Sequence, residues 1–200
     1  MIDEKVTGEF MDIYERCIKR PGADKLLQWL KLSDFFTAPA STRFHLAKEG
    51  GLVEHSINVY KRLRKLWVSE WGEPDAARED TIAVCGLLHD VCKTKMYKVA
   101  TRNAKNEATG QWEKVPYYTI EEQFPYGHGE KSVYILGKFL RLSRDEVMAI
   151  RWHMGFSDNE FKAGGFGVGK AFEQCQLALL THMADLQATY IDEVRGEATT

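Results

Sequence analysis

Four histidines, two aspartates and one lysine form an ordered series along most of this 200-residue chain. The series consists of His55, the adjacent pair His89 and Asp90, Lys93, His128, His153 and Asp185. Imidazole and carboxylate groups are the ligands that divalent transition metals prefer, so the series predicts a metal site. One site built from these residues requires a fold that brings distant segments together. Its chemistry indicates metal-assisted hydrolysis.

The sequences around two members of the series carry a family resemblance. His55 lies in the segment GGLVEHS, and the His-Asp pair lies in LLHDVCK. With these segments in this order, the chain resembles the HD-domain superfamily of metal-dependent phosphohydrolases, from about His45 to about Tyr190. It is similar to the HD domains of bacterial and phage hydrolases, including the one attached to a bacterial 3′-to-5′ exoribonuclease. The superfamily pattern H…HD…D maps onto His55, His89, Asp90 and Asp185.

The resemblance implies that these four residues bind a divalent transition metal. Mn²⁺, Fe²⁺, Co²⁺, Ni²⁺ and Zn²⁺ all suit two imidazoles and two carboxylates, and the lack of thiolate ligands in the pattern argues against a structural zinc site. A water activated by the metal would attack phosphorus. The expected partner is a phosphorylated small molecule, and a nucleotide is favoured.

His128 and His153 have two possible roles, between which the sequence does not choose. Some members of the superfamily carry extra histidines here for a second metal, in which case Asp90 would bridge two ions. Alternatively, a neutral imidazole could contact the phosphate or protonate the leaving group. The expected number of ions is therefore one or two.

Lys93 lies one helical turn after His89, and the resemblance implies that it faces the substrate phosphate and stabilises charge. The chain departs from the usual HDIGK by having Cys92 where a glycine is common, which leaves less room beside Lys93. His45 is a further candidate phosphate contact.

A basic stretch with no acidic residue follows the His-Asp pair, and aromatic residues come after it. The basic residues are Lys93, Lys95, Lys98, Arg102 and Lys105, and the aromatic residues are Trp112, Tyr117, Tyr118, Phe124 and Tyr126. This composition suits a nucleotide or a single-stranded nucleic acid, although a solvated surface is the common alternative.

Helical periodicity dominates the rest of the chain and predicts an all-α bundle. Val59, Leu63 and Leu66 share a stripe with His55, which turns that histidine toward the interior. The predicted helices are Asp3–Arg20, Ala23–Leu32, Leu52–Trp71, Pro74–Cys92, Gly129–Leu140, Asp145–His153 behind a Ser143/Glu146 capping box, and Lys170–Arg195. Residues 33–51 are predicted to be a loop.

Residues 94–127 break the helical pattern and predict a β-hairpin insertion. Its strands are expected at Met96–Arg102 and Gln111–Ile120, with a turn between them. Pro116 would make the second strand an edge. We expect one HD-type domain over residues 1–200.

Composition restricts the location and the partners. A net charge of −2 offers no overall attraction for duplex nucleic acid or an anionic membrane. Residues 1–5 lack the features of a signal peptide, and no apolar run is long enough to span a bilayer. The cysteines are scattered and are expected to be reduced core thiols. We therefore expect a cytoplasmic protein without membrane contact, whose oligomeric state the sequence does not indicate.

Two other functional hypotheses compete with that of a phosphohydrolase. One is a metal-containing module that binds a nucleotide or nucleic acid without turnover. The other is a helical interaction domain with a structural metal, which would lose much of its stability on chelation. Residues 164–170 resemble a phosphate-binding P-loop, but Ala171 replaces the required Ser or Thr, so a flexible loop is expected at Gly164–Gly169. His182 is expected to orient a neighbour or to pack.

Overall fold

The structure, a computed structural model, describes residues 3–194. The described residues form an all-α fold with one antiparallel hairpin, as predicted. The ends of the expected domain, residues 1–2 and 195–200, lie outside the described residues. The helices are α1 (Glu4–Cys17), α2 (Ala23–Leu32), α3 (Gly51–Trp71), α4 (Ala76–Leu88), α5 (His128–Gly137), α6 (Arg144–Trp152), α7 (Asn159–Lys162), α8 (Gly167–Gln174) and α9 (Gln176–Gln187).

Side-chain caps fix the starts of several helices. Asp3 accepts hydrogen bonds from the first backbone N–H groups of α1, and Asp75 accepts one from Arg78 at the start of α4. The predicted capping box of α6 is confirmed, because the Ser143 and Glu146 side chains bond each other's backbone N–H groups.

The core centres on α3, which packs against α4 on one side and α9 on the other. A glycine allows the first of these contacts, because a Cβ at Gly86 would lie 2.5 Å from the Cα of Tyr60. Leu63 of α3 and Leu87 of α4 are fully buried members of the core. This close approach holds the helix that carries His55 against the helix that precedes His89.

A buried ionic network joins three other parts of the bundle. Arg20, in the connection between α1 and α2, donates to the carboxylates of Asp80 in α4 and Glu146 in α6. Thr81 also donates to Glu146, whose side chain is 1% exposed. The network fixes α4 relative to α6, and each of these helices leads into a histidine of the predicted site.

The hairpin consists of β1 (Tyr97–Lys105) and β2 (Trp112–Ile120). Tyr97 pairs with Ile120 at the base. Pro116 lies opposite Thr101 in a sheet of two strands, so β2 is an edge strand as expected. The first strand is longer than predicted, and the turn is shorter.

Two predicted helices are wrong in outline. The helix expected to reach Cys92 ends at Leu88, and a 3₁₀ turn at Val91–Lys93 follows. The helix expected over Lys170–Arg195 is interrupted at Cys175, whose backbone is extended, and it ends in a π turn at Ala188–Asp192. Arg195 lies outside the described residues.

The glycine-rich stretch is also partly helical, contrary to the expected loop at Gly164–Gly169. α8 begins at Gly167, where a Cβ would clash with Trp152 and Glu160. The remaining helix limits differ from prediction by a few residues, as is usual at helix ends. Within residues 3–194, no helix has both the length and the hydrophobicity to cross a membrane.

Candidate metal centre

Six predicted site residues meet in one cluster, although they come from five separate segments. Their possible ligand atoms form groups of three in which all atoms lie within 4.8 Å of one another. They are His55 near the start of α3, His89 and Asp90 just after α4, His128 at the first position of α5, His153 just after α6, and Asp185 near the end of α9.

Asp90 occupies the middle of this cluster and is 3% exposed. Its Oδ2 atom lies 3.6 Å from His55 Nε2 and 3.5 Å from His89 Nε2. Its Oδ1 atom lies 2.7 Å from His128 Nε2 and 3.4 Å from His153 Nε2. Each carboxylate oxygen therefore faces one pair of imidazoles.

The backbone conformation just after α4 allows Asp90 to occupy the middle of the cluster. Adjacent residues in an α-helix point about 100° apart, which would separate the side chains of His89 and Asp90. Asp90 instead leaves the α-helical conformation, with φ −102° and ψ 17°. The change to a 3₁₀ turn directs both side chains into the same cluster.

Asp185 closes the cluster on the side of α3. Its Oδ1 atom lies 3.2 Å from His55 Nε2, and the Nε2 atoms of His55 and His89 are 3.3 Å apart. His89, His153 and Asp185 form another of the close groups. Both carboxylates therefore lie close to the converging imidazole nitrogens.

Backbone contacts determine which nitrogen each inner histidine presents. His89 Nδ1 lies 2.9 Å from the Gly86 carbonyl, and His153 Nδ1 lies 2.6 Å from the Ile150 carbonyl. A carbonyl only accepts, so both Nδ1 atoms donate, and in the neutral ring the lone pair lies on Nε2. His153 Nε2 is buried without a hydrogen-bond partner. Inward lone pairs beside two carboxylates fit a divalent cation.

The electrostatic environment keeps His89, Asp90 and Asp185 in the protonation states that bind a metal. Burial lowers the pKa of His89 to about 3, so its imidazole is neutral. Burial favours the neutral acid of Asp90, but Lys93, His89 and His128 together outweigh burial and hold the pKa of Asp90 well below its ordinary value. His55 likewise overcomes burial and lowers the pKa of Asp185. Both carboxylates are therefore anionic near neutral pH.

Lys93 and Cys92 contact two members of the cluster. Lys93 Nζ lies 2.6 Å from Asp90 Oδ2. The Cys92 thiol lies 3.4 Å from His128 Nδ1, and the Cys92 backbone N–H donates to Ser132 in α5. The residue that replaces the family's common glycine therefore packs against His128, while Lys93 still reaches the cluster.

His45 lies next to the cluster, in the loop before α3. Its ring centroid is 5.1 Å from that of His55, and its Nε2 atom is buried without a hydrogen-bond partner. Ser41 donates to the His45 carbonyl, and Leu46 adopts a φ of +44°, which is uncommon for leucine. The role of His45 as a phosphate contact stays a prediction.

One acidic residue in the site was not found by sequence reasoning. Glu193 lies 3.0 Å from His55 Nδ1 and forms a close group with His45 and His55. In a regular α-helix it would lie about 12 Å along the axis from Asp185, so helical periodicity does not place both residues at one site.

His182 supports the cluster from outside, as expected. Its Nδ1–H donates to the His153 carbonyl at 2.7 Å, and its ring stacks on Phe172. Gly155 lies against the same ring, and a Cβ there would overlap the imidazole. His182 therefore fixes the turn that presents His153.

Substitution of Gly155 by alanine should destabilise this turn. The residue has a φ of +51°, and the added Cβ would displace His182, so we expect a loss of about 1–3 kcal/mol in the free energy of unfolding. Urea denaturation measures it. Gly164→Ala is the matched control, because Gly164 also has a positive φ but its Cβ would meet nothing within 4 Å. Equal losses in the two variants would contradict the role of the His182 contact.

Two basic residues of the hairpin have partners within the hairpin region. Lys98 pairs with Glu121, and Arg102 lies over the ring of Tyr117. The Tyr97 phenol donates to the Ala40 carbonyl, which ties the base of the hairpin to the loop that carries His45. The role of the hairpin in substrate binding stays a prediction.

The comparisons with known proteins assign a family. A family model described as the HD domain matches residues 52–193. No curated protein and no solved structure matches the chain. The matched range covers most of the chain and contains the four residues of the H…HD…D pattern, which the fold brings into one buried cluster. The chain therefore belongs to the HD-domain superfamily of metal-dependent phosphohydrolases.

Proposed function

We propose that the protein is a metal-dependent hydrolase that cleaves a phosphomonoester or phosphodiester of a nucleotide. The observation that carries the proposal is the position of Asp90. Its two carboxylate oxygens face two separate pairs of histidines, and His153 among them has a buried nitrogen without a partner. A purely structural role for these groups would leave that nitrogen unexplained.

We assign two overlapping sets of metal ligands. The first set is His55, His89 and Asp90 together with Asp185, whose Oδ1 atom lies 3.2 Å from His55 Nε2, and the second set is Asp90, His128 and His153. A divalent ion supplies a water acidic enough to attack phosphorus near neutral pH. Asp90 belongs to both sets, so the arrangement suits two ions.

Lys93 is assigned to the substrate phosphate. Burial acts against its charge, but Asp90 outweighs burial and raises the pKa of Lys93 above its ordinary value, so the ammonium stays charged. The side chain is 13% exposed, and its ammonium lies beside Asp90 in the proposed metal centre. Its positive charge would stabilise the negative charge that develops on the phosphoryl oxygens.

His128 lies at the outer edge of the cluster, with a side chain that is 23% exposed. In the two-ion arrangement it binds the second ion. A measured stoichiometry of one ion per chain at saturating Mn²⁺ would instead assign His128 to protonation of the leaving group.

Exposed aromatic rings on and near the hairpin support a nucleotide as the substrate. Tyr117 and Tyr126 are partly exposed. A base has an apolar face that stacks on such rings without sequence preference. Single-stranded nucleic acid shares this chemistry and is one of the substrates to be tested.

The test is product release from a panel of phosphorylated compounds. The panel contains nucleoside monophosphates, deoxynucleoside triphosphates, guanosine tetraphosphate, cyclic mono- and dinucleotides and a short single-stranded RNA, each with Mn²⁺ or with EDTA. We expect turnover of one class that depends on Mn²⁺ and stops in EDTA. Lys93→Met should bind Mn²⁺ but lose roughly 10²–10³-fold in kcat, because it lacks the stabilising charge.

Binding of Mn²⁺ without consumption of any compound would contradict the proposal and favour a non-catalytic binding module. A ligand-induced rise in melting temperature on the same panel would then identify the partner. A large loss of stability in EDTA, again without turnover, would favour a structural metal instead.

A further inference from the structure

Glu193, near the end of the described chain, contacts His55 at Nδ1, whereas the proposed metal ligands lie around Nε2. Asp185 approaches His55 Nε2 at 3.2 Å, and the carboxylate of Glu193 approaches His55 Nδ1 at 3.0 and 3.1 Å. Each nitrogen of one imidazole therefore faces a carboxylate of the same C-terminal segment: Nε2 faces Asp185, a proposed metal ligand, and Nδ1 faces Glu193.

A π turn makes this double contact possible. In a continuous α-helix, Glu193 would lie about 12 Å further along the axis than Asp185, too far for both residues to contact one imidazole ring. The wider turn at Ala188–Asp192 interrupts the helix, and the Glu193 N–H closes it by donating to the Ala188 carbonyl. Such π turns within helices are frequent at functional sites.

The Glu193 carboxylate is held in place by a second hydrogen bond from α3. Asn58, one turn after His55, donates to Glu193 Oε1 at 2.9 Å. The Glu193 side chain is 1% exposed. Burial of a carboxylate is costly unless it is hydrogen-bonded, so its position is explained by these two partners on α3.

We propose that Glu193 is a positioning residue that keeps a hydrogen on His55 Nδ1 and so leaves His55 Nε2 free to bind the metal. This inference rests on the proposed metal centre and deepens it. His89 and His153 have the same orientation, but backbone carbonyls accept their Nδ1–H groups. A carboxylate acceptor also makes the imidazole a stronger metal donor, and loss of such a partner typically weakens metal binding 10–100-fold.

The experiment measures the affinity of the full chain for Zn²⁺ by competition with a chromophoric chelator. Glu193→Ala removes the acceptor, and we expect a loss of affinity of at least about tenfold. Glu193→Gln keeps an oxygen that accepts the Nδ1–H, so it should recover part of that loss. Proton-nitrogen correlation spectra of the Zn²⁺ form should show hydrogen on His55 Nδ1 in the wild type and in Glu193→Gln.

Asp192→Asn is the matched control. Asp192 is the adjacent residue, and its carboxylate pairs with Arg62 at the partly exposed side of the same turn. This variant should change the affinity by less than about twofold, since an ion pair of this kind contributes little. Thermal unfolding in EDTA checks that all three variants fold.

Three outcomes would overturn the inference. They are unchanged affinity in Glu193→Ala, equal losses in Glu193→Ala and Asp192→Asn, and the loss of one whole ion from the stoichiometry in both Glu193 variants. The last would make Glu193 a ligand, together with His45. Failure of the proposed function is distinguishable, because the wild type would then bind Zn²⁺ but hydrolyse no phosphorylated compound.

Discussion

Replacement of Asp90 by asparagine is expected to abolish turnover, with a fall in kcat of at least about 10³-fold. Asparagine keeps the size of the side chain but removes the charge that faces both pairs of histidines. Because Asp90 belongs to both proposed ligand sets, the variant should lose metal from both. Several kcal/mol of charge stabilisation depend on a bound metal, which corresponds to this change in rate.

Metal analysis after dialysis and initial rates on the best substrate of the panel measure this effect. Asp80→Asn is the control, because it also neutralises a largely buried aspartate, but one that pairs with Arg20 away from the cluster. The control should retain metal and rate while losing stability. Full metal retention in Asp90→Asn would refute the assignment of Asp90 as a ligand.

Replacement of Glu146 by alanine should produce the largest loss of stability, about 3–5 kcal/mol in the free energy of unfolding. The substitution leaves the guanidinium of Arg20 without one of its two carboxylate partners, and it removes the acceptor of Thr81 and half of the α6 capping box. At about 2–4 °C per kcal/mol for a chain of this size, the melting temperature should fall by roughly 6–20 °C.

The control for Glu146 is Glu9→Ala, which breaks an exposed ion pair with Lys61 and should cost less than about 1 kcal/mol. Equal losses would show that the buried network stabilises the fold no more than an exposed ion pair does.

The contribution of Glu146 to the free energy of unfolding should also depend on pH. Burial raises the pKa of Glu146, but Arg20 outweighs burial and lowers it below 4.5. The stability difference between wild type and Glu146→Gln should therefore be constant above pH 4.5 and shrink as the pH falls through the lowered pKa.

The sequence predicted the bundle well, because apolar residues at helical spacing must be buried whatever their tertiary partners are. It failed where tertiary packing overrides the local pattern. Residues 170–187 have the periodicity of one continuous helix. The backbone is nevertheless extended at Cys175, whose thiol contacts the Asp145 carbonyl. A contact between residues so far apart leaves no mark in a local window.

The metal site shows the same difference between what a sequence pattern predicts and what tertiary structure determines. The H…HD…D pattern identified four site residues, because these residue types rarely occur in this order. His128 and His153 were identified from the same family resemblance. Their convergence depends on chain geometry such as the 3₁₀ turn after Asp90, which the sequence does not display. Glu193 was missed because its contact with His55 depends on a π turn, and no simple residue pattern marks such a turn.

The base of the hairpin has a consequence for how this protein can change over evolution. The Glu121 N–H donates to the Met96 carbonyl, and Tyr97 lies opposite Ile120, so the chain leaves the bundle and returns to it at nearly the same point. Paired ends of this kind tolerate insertion, deletion or exchange of what lies between them at a small entropic cost. The hairpin and the bundle can therefore change independently, and selection could diversify the hairpin while the bundle is inherited unchanged.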